Sequence, residues 1–171
     1  LGNIISSSFI NGEYLPDWHK YENYEKSYAA KKNLGGGCIV TLIHEIDYAT
    51  WLLGKPKNVY AIGGTLSDLK TDVEDSVQLL CAINHNNKNI PLSISLNYLL
   101  FPSKKYFYII GDKVSFVCYL FHGRMKISNI KNKKEKVIEL DDFDRNEMFI
   151  SEMTEFLKFI ENKNSIHISL K

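Results

Sequence analysis

The sequence predicts an α+β domain: a large, mainly antiparallel open sheet with helices packed on one face. Three observations carry this. An apolar segment of helical period occupies residues 38–53, strand-like runs follow one another from 58 to 140, and an amphipathic helix closes the chain. The runs stand too close together to hold crossover helices, so their pairing is mainly antiparallel.

Residues 3–10 (NIISSSFI) read as a strand. Residues 12–33, rich in Tyr, Trp, Lys and Glu without a clean period, read as a loop followed by a short helix over 24–32. A turn at Gly35, Gly36 and Gly37 leads into CIVTLIHEIDYATWLLG. There Ile39, Leu42, Ile43, Ile46, Ala49 and Leu53 recur at helical spacing, Gly54 sits at the C-cap position and Pro56 lies beyond it. This predicts one helix over 38–53. NVYAIGGTL, SVQLLCAIN, IPLSISLNYLL, KYFYIIG, VSFVCYL, GRMKISNI and KVIEL then read as strands. Asn86-Asn87, Pro102-Ser103, Gly111-Asp112, His122-Gly123 and Asn132-Lys133 separate most of them as turns. In MFISEMTEFLKFIEN, Met148, Phe149, Met153, Phe156, Leu157 and Ile160 form one apolar face, and Asp144 or Asn146 is placed to cap the helix.

The 171 residues suffice for one domain with a core, and 44% hydrophobic with 24% charged residues is an ordinary globular composition. No run is long enough to cross a membrane and none at the start resembles a signal peptide, so a cytoplasmic protein without a membrane partner is expected. Lys plus Arg (21) balances Asp plus Glu (20), and Arg124 and Arg145 are the only arginines. Nothing electrostatic argues for a nucleic-acid partner, and the lysine-rich stretch 126–136 reads as a solvated hairpin. Cys38, Cys81 and Cys118 sit in apolar stretches and read as reduced buried thiols; none has metal-ligand spacing, so no metal is expected. The chain opens at Leu1-Gly2 directly in a strand, which is read as a fragment whose preceding residues are absent.

His44 is the first chemical candidate, because imidazole titrates near neutrality and suits proton transfer; the alternative is a histidine that hydrogen-bonds near the core. Thr41 and Asp47 lie three residues to either side, on the same face of the expected helix. Asp47 is a candidate support for the imidazole, while Glu45 is off that face and expected to be solvated. Tyr14, Asp17, Trp18 and His19 combine aromatic faces with hydrogen-bonding groups, a mixture that suits a sugar; the alternative for Trp18 is a loop anchor. Tyr28 and Lys31 are further substrate-contact candidates, Lys31 for a carboxylate or phosphate. VQLLCAI and PLSISLNYLLF hold more apolar residues than one helix layer covers, so self-association through the outer sheet face is expected.

Three segments in order resemble one family: GEYLPDWHKYENYEKSYAAKKNLGGG at 12–37, GGGCIVTLIHEIDYATWLLG at 35–54, and DVEDSV at 72–77 with LNYLLFPSKKYFYIIGDKVSF at 96–116. Over residues 3–160 the chain is similar to the C-terminal domain of the Gfo/Idh/MocA oxidoreductases. The resemblance implies that residues 1–171 form a substrate-binding and oligomerisation domain, with an N-terminal Rossmann domain absent from this chain. NAD or NADP would be bound mainly by that absent domain; no GxGxxG is present, and Gly35–Gly37 do not follow a predicted strand. It implies hydride transfer at a sugar or sugar-nucleotide hydroxyl, with His44 as the catalytic acid/base and Tyr14, Asp17, Trp18, Tyr28, Lys31 and Thr41 as substrate contacts. Gly36, Gly37 and Asp47 would support the site, and a dimer or tetramer would form through the sheet. This chain alone would be inactive. Thr41 stands where the family pattern carries aspartate, and Val114 where its hairpin carries a second glycine. The alternative is a non-catalytic relative serving as a binding or oligomerisation module.

Overall fold

In the computed structural model, residues 1–140 and 144–162 are described. Their strands are β1 (Ile4–Gly12), β2 (Asn58–Gly64), β3 (Ser76–His85), β4 (Lys88–Asn97), β5 (Lys104–Gly111), β6 (Val114–Tyr119), β7 (Arg124–Asn129) and β8 (Glu135–Glu139). They form one open sheet in the order β2-β3-β4-β1-β5-β6-β7-β8. Neighbours are antiparallel except β1 and β4, which run parallel. The expected α+β architecture is therefore present, and β1 lies between β4 and β5, which are consecutive in sequence.

The period of two along each strand sorts residues between the faces. Ala61, Leu79, Ile94, Phe9, Phe107, Cys118, Met125 and Ile138 form one register row on the helix side. The row is most deeply buried at its centre, where Phe9 stacks on Phe107 with ring centroids 4.9 Å apart. Each such buried side chain contributes roughly 1.5–3 kcal/mol.

The outer face is less apolar than the sequence suggests. The apolar residues of the two segments cited for self-association mostly point inward: Val77, Cys81, Leu92, Ile94 and Leu96 are buried. The outward row reads Tyr60, Leu80, Ser93, Ser8, Tyr108, Val117, Lys126 and Val137. Ser93 donates to Ser8 at 2.8 Å, and Gln78 donates to Ser95 at 2.7 Å. A hydroxyl belt thus occupies the centre of this face. Tyr60, Ile62 and Leu80 flank it on one side, and Tyr106, Tyr108 and Tyr119 on the other. Counting apolar residues along a segment had summed two faces that the pleat separates.

The expected helix over 38–53 is two helices, α1 (Cys38–Thr41) and α2 (His44–Leu53). The break follows from Thr41, whose hydroxyl donates to Gly37 O four residues back, a bond that bends helices; Leu42 then leaves helical geometry at φ −106°, ψ 30°. The expected helix over 24–32 is replaced by 3-10 turns at Tyr24–Lys26, Tyr28–Ala30 and Lys32–Leu34. Ser27 and Lys31 between them are extended, which stops a continuous helix. The hairpin of β7 and β8 carries cross-strand ion pairs, Lys126–Glu135 at 2.8 Å and Arg124–Glu139 at 2.9 Å, as a solvated hairpin should. Val114 opens β6, so its departure from the family pattern falls at a strand start. The three cysteines are free, Cys38 and Cys81 buried and Cys118 partly so.

A C-terminal unit begins at Leu140 and contains α3 (Arg145–Asn162). Asp144 caps it as expected, accepting the Asn146 amide at 2.8 Å. No helix among the described residues is long and apolar enough to cross a membrane.

Candidate functional site

The glycine turn fixes the site's backbone. A Cβ at Gly36 would lie 2.4 Å from Tyr28 O and 2.5 Å from Ala29 O, so only glycine lets the chain pass this close. Gly37 has φ +117°, and its Cβ would lie 2.3 Å from Glu74 Oε1. Gly37 also donates to Ala29 O at 3.1 Å.

Glu74 docks the start of α1 from the other side of the chain. Its carbonyl accepts the Cys38 amide at 3.0 Å and its Oε1 accepts the Ile39 amide at 3.2 Å. The first two amides of α1 are thus taken, one by a carbonyl and one by a carboxylate. A nucleotide pyrophosphate needs such amides free and no anion beside them. The turn therefore does not fit the phosphate-binding half of NAD or NADP. Burial, then Glu74 and Asp75, push the Cys38 thiol up to about 12, which removes it as a nucleophile.

Thr41 and Tyr98 form the polar centre. Thr41 Oγ1 donates to Gly37 O at 2.9 Å and lies 2.5 Å from Tyr98 Oη. Tyr98 Oη lies 3.2 Å from Ala29 O. Tyr98 is fully buried, and burial raises its phenol well above the usual range. Its ring stands edge-on to Trp18 with centroids 5.5 Å apart.

His44 is the first residue of α2 and is exposed, as is Asp47. The break at Leu42 puts Thr41 and His44 on separate helical segments. Among the described residues no hydrogen bond joins Asp47 to His44. Glu45, expected to be solvated, is instead wholly buried. Asn11 Nδ2 donates to its Oε2 at 3.0 Å, Tyr48 Oη donates to its Oε1 at 2.6 Å, and Lys105 Nζ lies 3.5 Å away. The helix turned Glu45 onto the sheet because β1 and β5 supply these partners, and a buried carboxylate needs them.

Trp18 and Tyr28 line a cavity of about 210 Å³, mouth included, with His19, Glu22, Tyr24 and Ser27. Its enclosed space, about 10 Å³, is far below the roughly 300–1,000 Å³ of pockets enclosing a whole ligand. Trp18 Nε1 and Ser27 Oγ are buried there without partners among the described residues. His19 Nδ1 lies 3.1 Å from the Tyr21 hydroxyl. Tyr14 and Asp17 belong to the 3-10 turn at Leu15–Asp17, where the Tyr14 carbonyl accepts the Asp17 amide. Lys31 accepts the Gly36 amide with its carbonyl at 2.9 Å. Neither Tyr14, Asp17 nor Lys31 lines this cavity.

The fold thus joins Trp18, Tyr28, Gly36, Gly37 and Thr41 through Tyr98 and the Ala29 carbonyl. Sequence reasoning missed Tyr98, Glu74 and the burial of Glu45. Tyr98 continues the inward alternation of Leu92, Ile94 and Leu96 and was open to detection; Glu74 lies in the DVEDSV segment, where nothing local marks its role. No group of His, Cys, Asp or Glu among the described residues is arranged to hold a metal.

The family model described as "GFO/IDH/MocA C-terminal domain" matches residues 1–117. No curated protein matches the chain in sequence. Among solved structures, the chain is similar to "Levoglucosan dehydrogenase, complex with NADH and levoglucosan", with 18% identity and a TM-score of 0.80 over 97% of this chain and 52% of that one. It is similar to the UDP-N-acetylglucosamine 3-dehydrogenase GnnA from Acidithiobacillus ferrooxidans, with 15% identity and a TM-score of 0.71 over 96% and 47%. A super-repressor mutant of Gal80p from Saccharomyces cerevisiae shares the fold at 16% identity and a TM-score of 0.74, over 98% and 48%. The chain spans about half the length of each of these proteins.

Proposed function

The chain belongs to the Gfo/Idh/MocA family as its C-terminal domain, and from that premise we propose that it forms the substrate side of an NAD(P)-dependent oxidoreductase. The reaction is hydride transfer at a hydroxyl-bearing carbon of a sugar or sugar nucleotide, with His44 exchanging the hydroxyl proton. The observation that carries this reading is the placement of His44: exposed, unencumbered by a hydrogen bond among the described residues, and at the start of the helix that follows the glycine turn and Thr41. Trp18 and Tyr28 offer aromatic and hydrogen-bonding surface to the sugar, with Tyr14, Asp17 and Lys31 as outer contacts. NAD or NADP is held mainly outside this chain, in keeping with the occupied amides beside Gly37. A homo-oligomer, dimer or tetramer, forms through the outer sheet face, and the protein works in the cytoplasm.

The test uses the complete protein that carries this domain. With NAD or NADP and a panel of polyols, His44→Asn lowers kcat about a hundredfold or more, within the ~10²–10⁴ range of positioned proton transfer, and changes the shape of the pH–rate profile. Unchanged kcat and profile would make His44 structural. A second reading, a binding module without turnover, draws support from Thr41 at the family's aspartate position and from the repressor that shares this fold. It is the reading left standing if no polyol is oxidised.

A further inference from the structure

We infer that Tyr98 is a positioning residue that commits the Thr41 hydroxyl proton to the protein, so that Thr41 meets a ligand as a hydrogen-bond acceptor and selects a ligand hydroxyl that donates. The inference rests on the proposed function for placing a ligand at Thr41, and otherwise on proton counting.

Two hydroxyls, Thr41 and Tyr98, share three contacts: Thr41 Oγ1 to Gly37 O at 2.9 Å, Thr41 Oγ1 to Tyr98 Oη at 2.5 Å, and Tyr98 Oη to Ala29 O at 3.2 Å. The middle contact is at the short limit for O–H···O and must contain a proton, because two bare lone pairs at that distance repel. If Tyr98 supplies it, the Thr41 proton goes to Gly37 O. If Thr41 supplies it, the Tyr98 proton goes to Ala29 O. In both arrangements the Thr41 proton points into the protein and at least one of its lone pairs is left over. Gly37 O and Ala29 O are fixed acceptors, since the turn that carries them is wedged against Glu74 and the Tyr28–Ala29 backbone. Tyr98 itself is wholly buried and edge-on to Trp18, so it acts through Thr41.

Thr41 can donate outward only by giving up its bond to Gly37 O or to Tyr98 Oη, which weakens a ligand that needs a donor there by roughly two- to tenfold. A ligand hydroxyl donating to Thr41 carries no such penalty. An ionised aspartate is likewise acceptor-only. Tyr98 thus gives threonine the hydrogen-bonding polarity of a carboxylate without its charge. An alcohol can donate at this point and a ketone cannot, so the alcohol form of a substrate binds the more tightly here.

The first test needs only this chain. In labelled protein at low temperature, NMR detects the Thr41 and Tyr98 hydroxyl protons, both exchanging slowly with water. Tyr98→Phe speeds exchange of the Thr41 proton at least tenfold; Thr41→Ser retains the slow pair and Thr41→Val abolishes it. A Thr41 proton that exchanges as fast as in free threonine, or that is indifferent to Tyr98→Phe, overturns the inference. The second test uses the complete protein. Tyr98→Phe raises KM for an oxidised polyol about two- to tenfold while kcat changes less than twofold. A fall in kcat at unchanged KM overturns it. If no polyol is turned over, the proposed function fails while the hydroxyl-exchange result still decides the polarity of Thr41.

Discussion

The Glu74 carboxylate fills the space that any side chain at residue 37 would need. A Cβ built on Gly37 would lie 2.3 Å from Glu74 Oε1, the oxygen that accepts the Ile39 amide. The turn and its anchor therefore constrain each other.

Gly37→Ala introduces both this clash and a side chain at φ +117°, a region closed to other residues. The expected loss is about 1–3 kcal/mol or more. Urea unfolding of the two proteins measures it, and an unchanged midpoint with unchanged slope would mean that the turn relaxes freely.

Lys105→Met leaves Glu45 buried without its cation. Breaking a buried pair from one side is strongly destabilising; with Lys105 20% exposed, the expected loss is about 2 kcal/mol. Replacing both, as Glu45→Gln with Lys105→Met, recovers most of that loss, since the neutral amide still offers an acceptor to Asn11 or Tyr48. A double variant no more stable than the single one would show that the lysine acts by packing.

Asp75 is wholly buried by area and accepts the Leu66 and Ser67 amides and the Ser67 hydroxyl at 2.6–3.0 Å. Burial pushes its carboxyl up, but these hydrogen bonds outweigh it and the net shift is downward. A carboxyl held below its unfolded value of about 3.9 contributes stability that is present above that pH and lost as pH falls through its folded value. The thermal midpoint is expected to drop below about pH 4, and Asp75→Asn flattens that drop while destabilising the protein at neutral pH. Parallel pH profiles for the two proteins would remove Asp75 as the cause.

The outer sheet face pairs tyrosines and apolar residues around a hydroxyl belt, a composition suited to an interface that is both packed and hydrogen-bonded. Light scattering across a concentration series is expected to show a dimer or tetramer, and Tyr108→Arg, at the centre of the outward row, shifts it toward monomer. A monomer at every concentration, in the complete protein, counts against this face.

The strands were legible because Leu92, Ile94 and Leu96 alternate with Ser93 and Ser95, and pleating turns alternation directly into two faces. Where β1 inserts was not legible, since its partners are chosen by contacts remote in sequence. The break in the helix after Thr41 was hidden because helical spacing continues through it; it follows from the Thr41 hydroxyl's bond back to Gly37 O. Glu45 looked solvated because its partners, Asn11 and Lys105, come from two other strands. In the site, the glycine turn, Trp18 and Thr41 were readable from a motif and its spacing. Tyr98 and Glu74 lie within segments that carry the family resemblance, but their contacts with the turn became visible only when the sheet brought those segments beside it.

The position of β1 has a consequence for how the molecule assembles. The strands β2, β3 and β4 form one meander of near neighbours, and β5 to β8 form another. Each can zip up from local pairings, which are fast. Their union waits for the first strand to be threaded between them. Phe9 must find Ile94 on one side and Phe107 on the other, across about a hundred residues of intervening chain. The late, slow event in folding is then the capture of residues 4–12. Until it happens β4 and β5 each expose an unpaired edge, which other copies of the chain can pair with. Mutations in β1 are expected to slow folding and promote aggregation out of proportion to their effect on the finished structure.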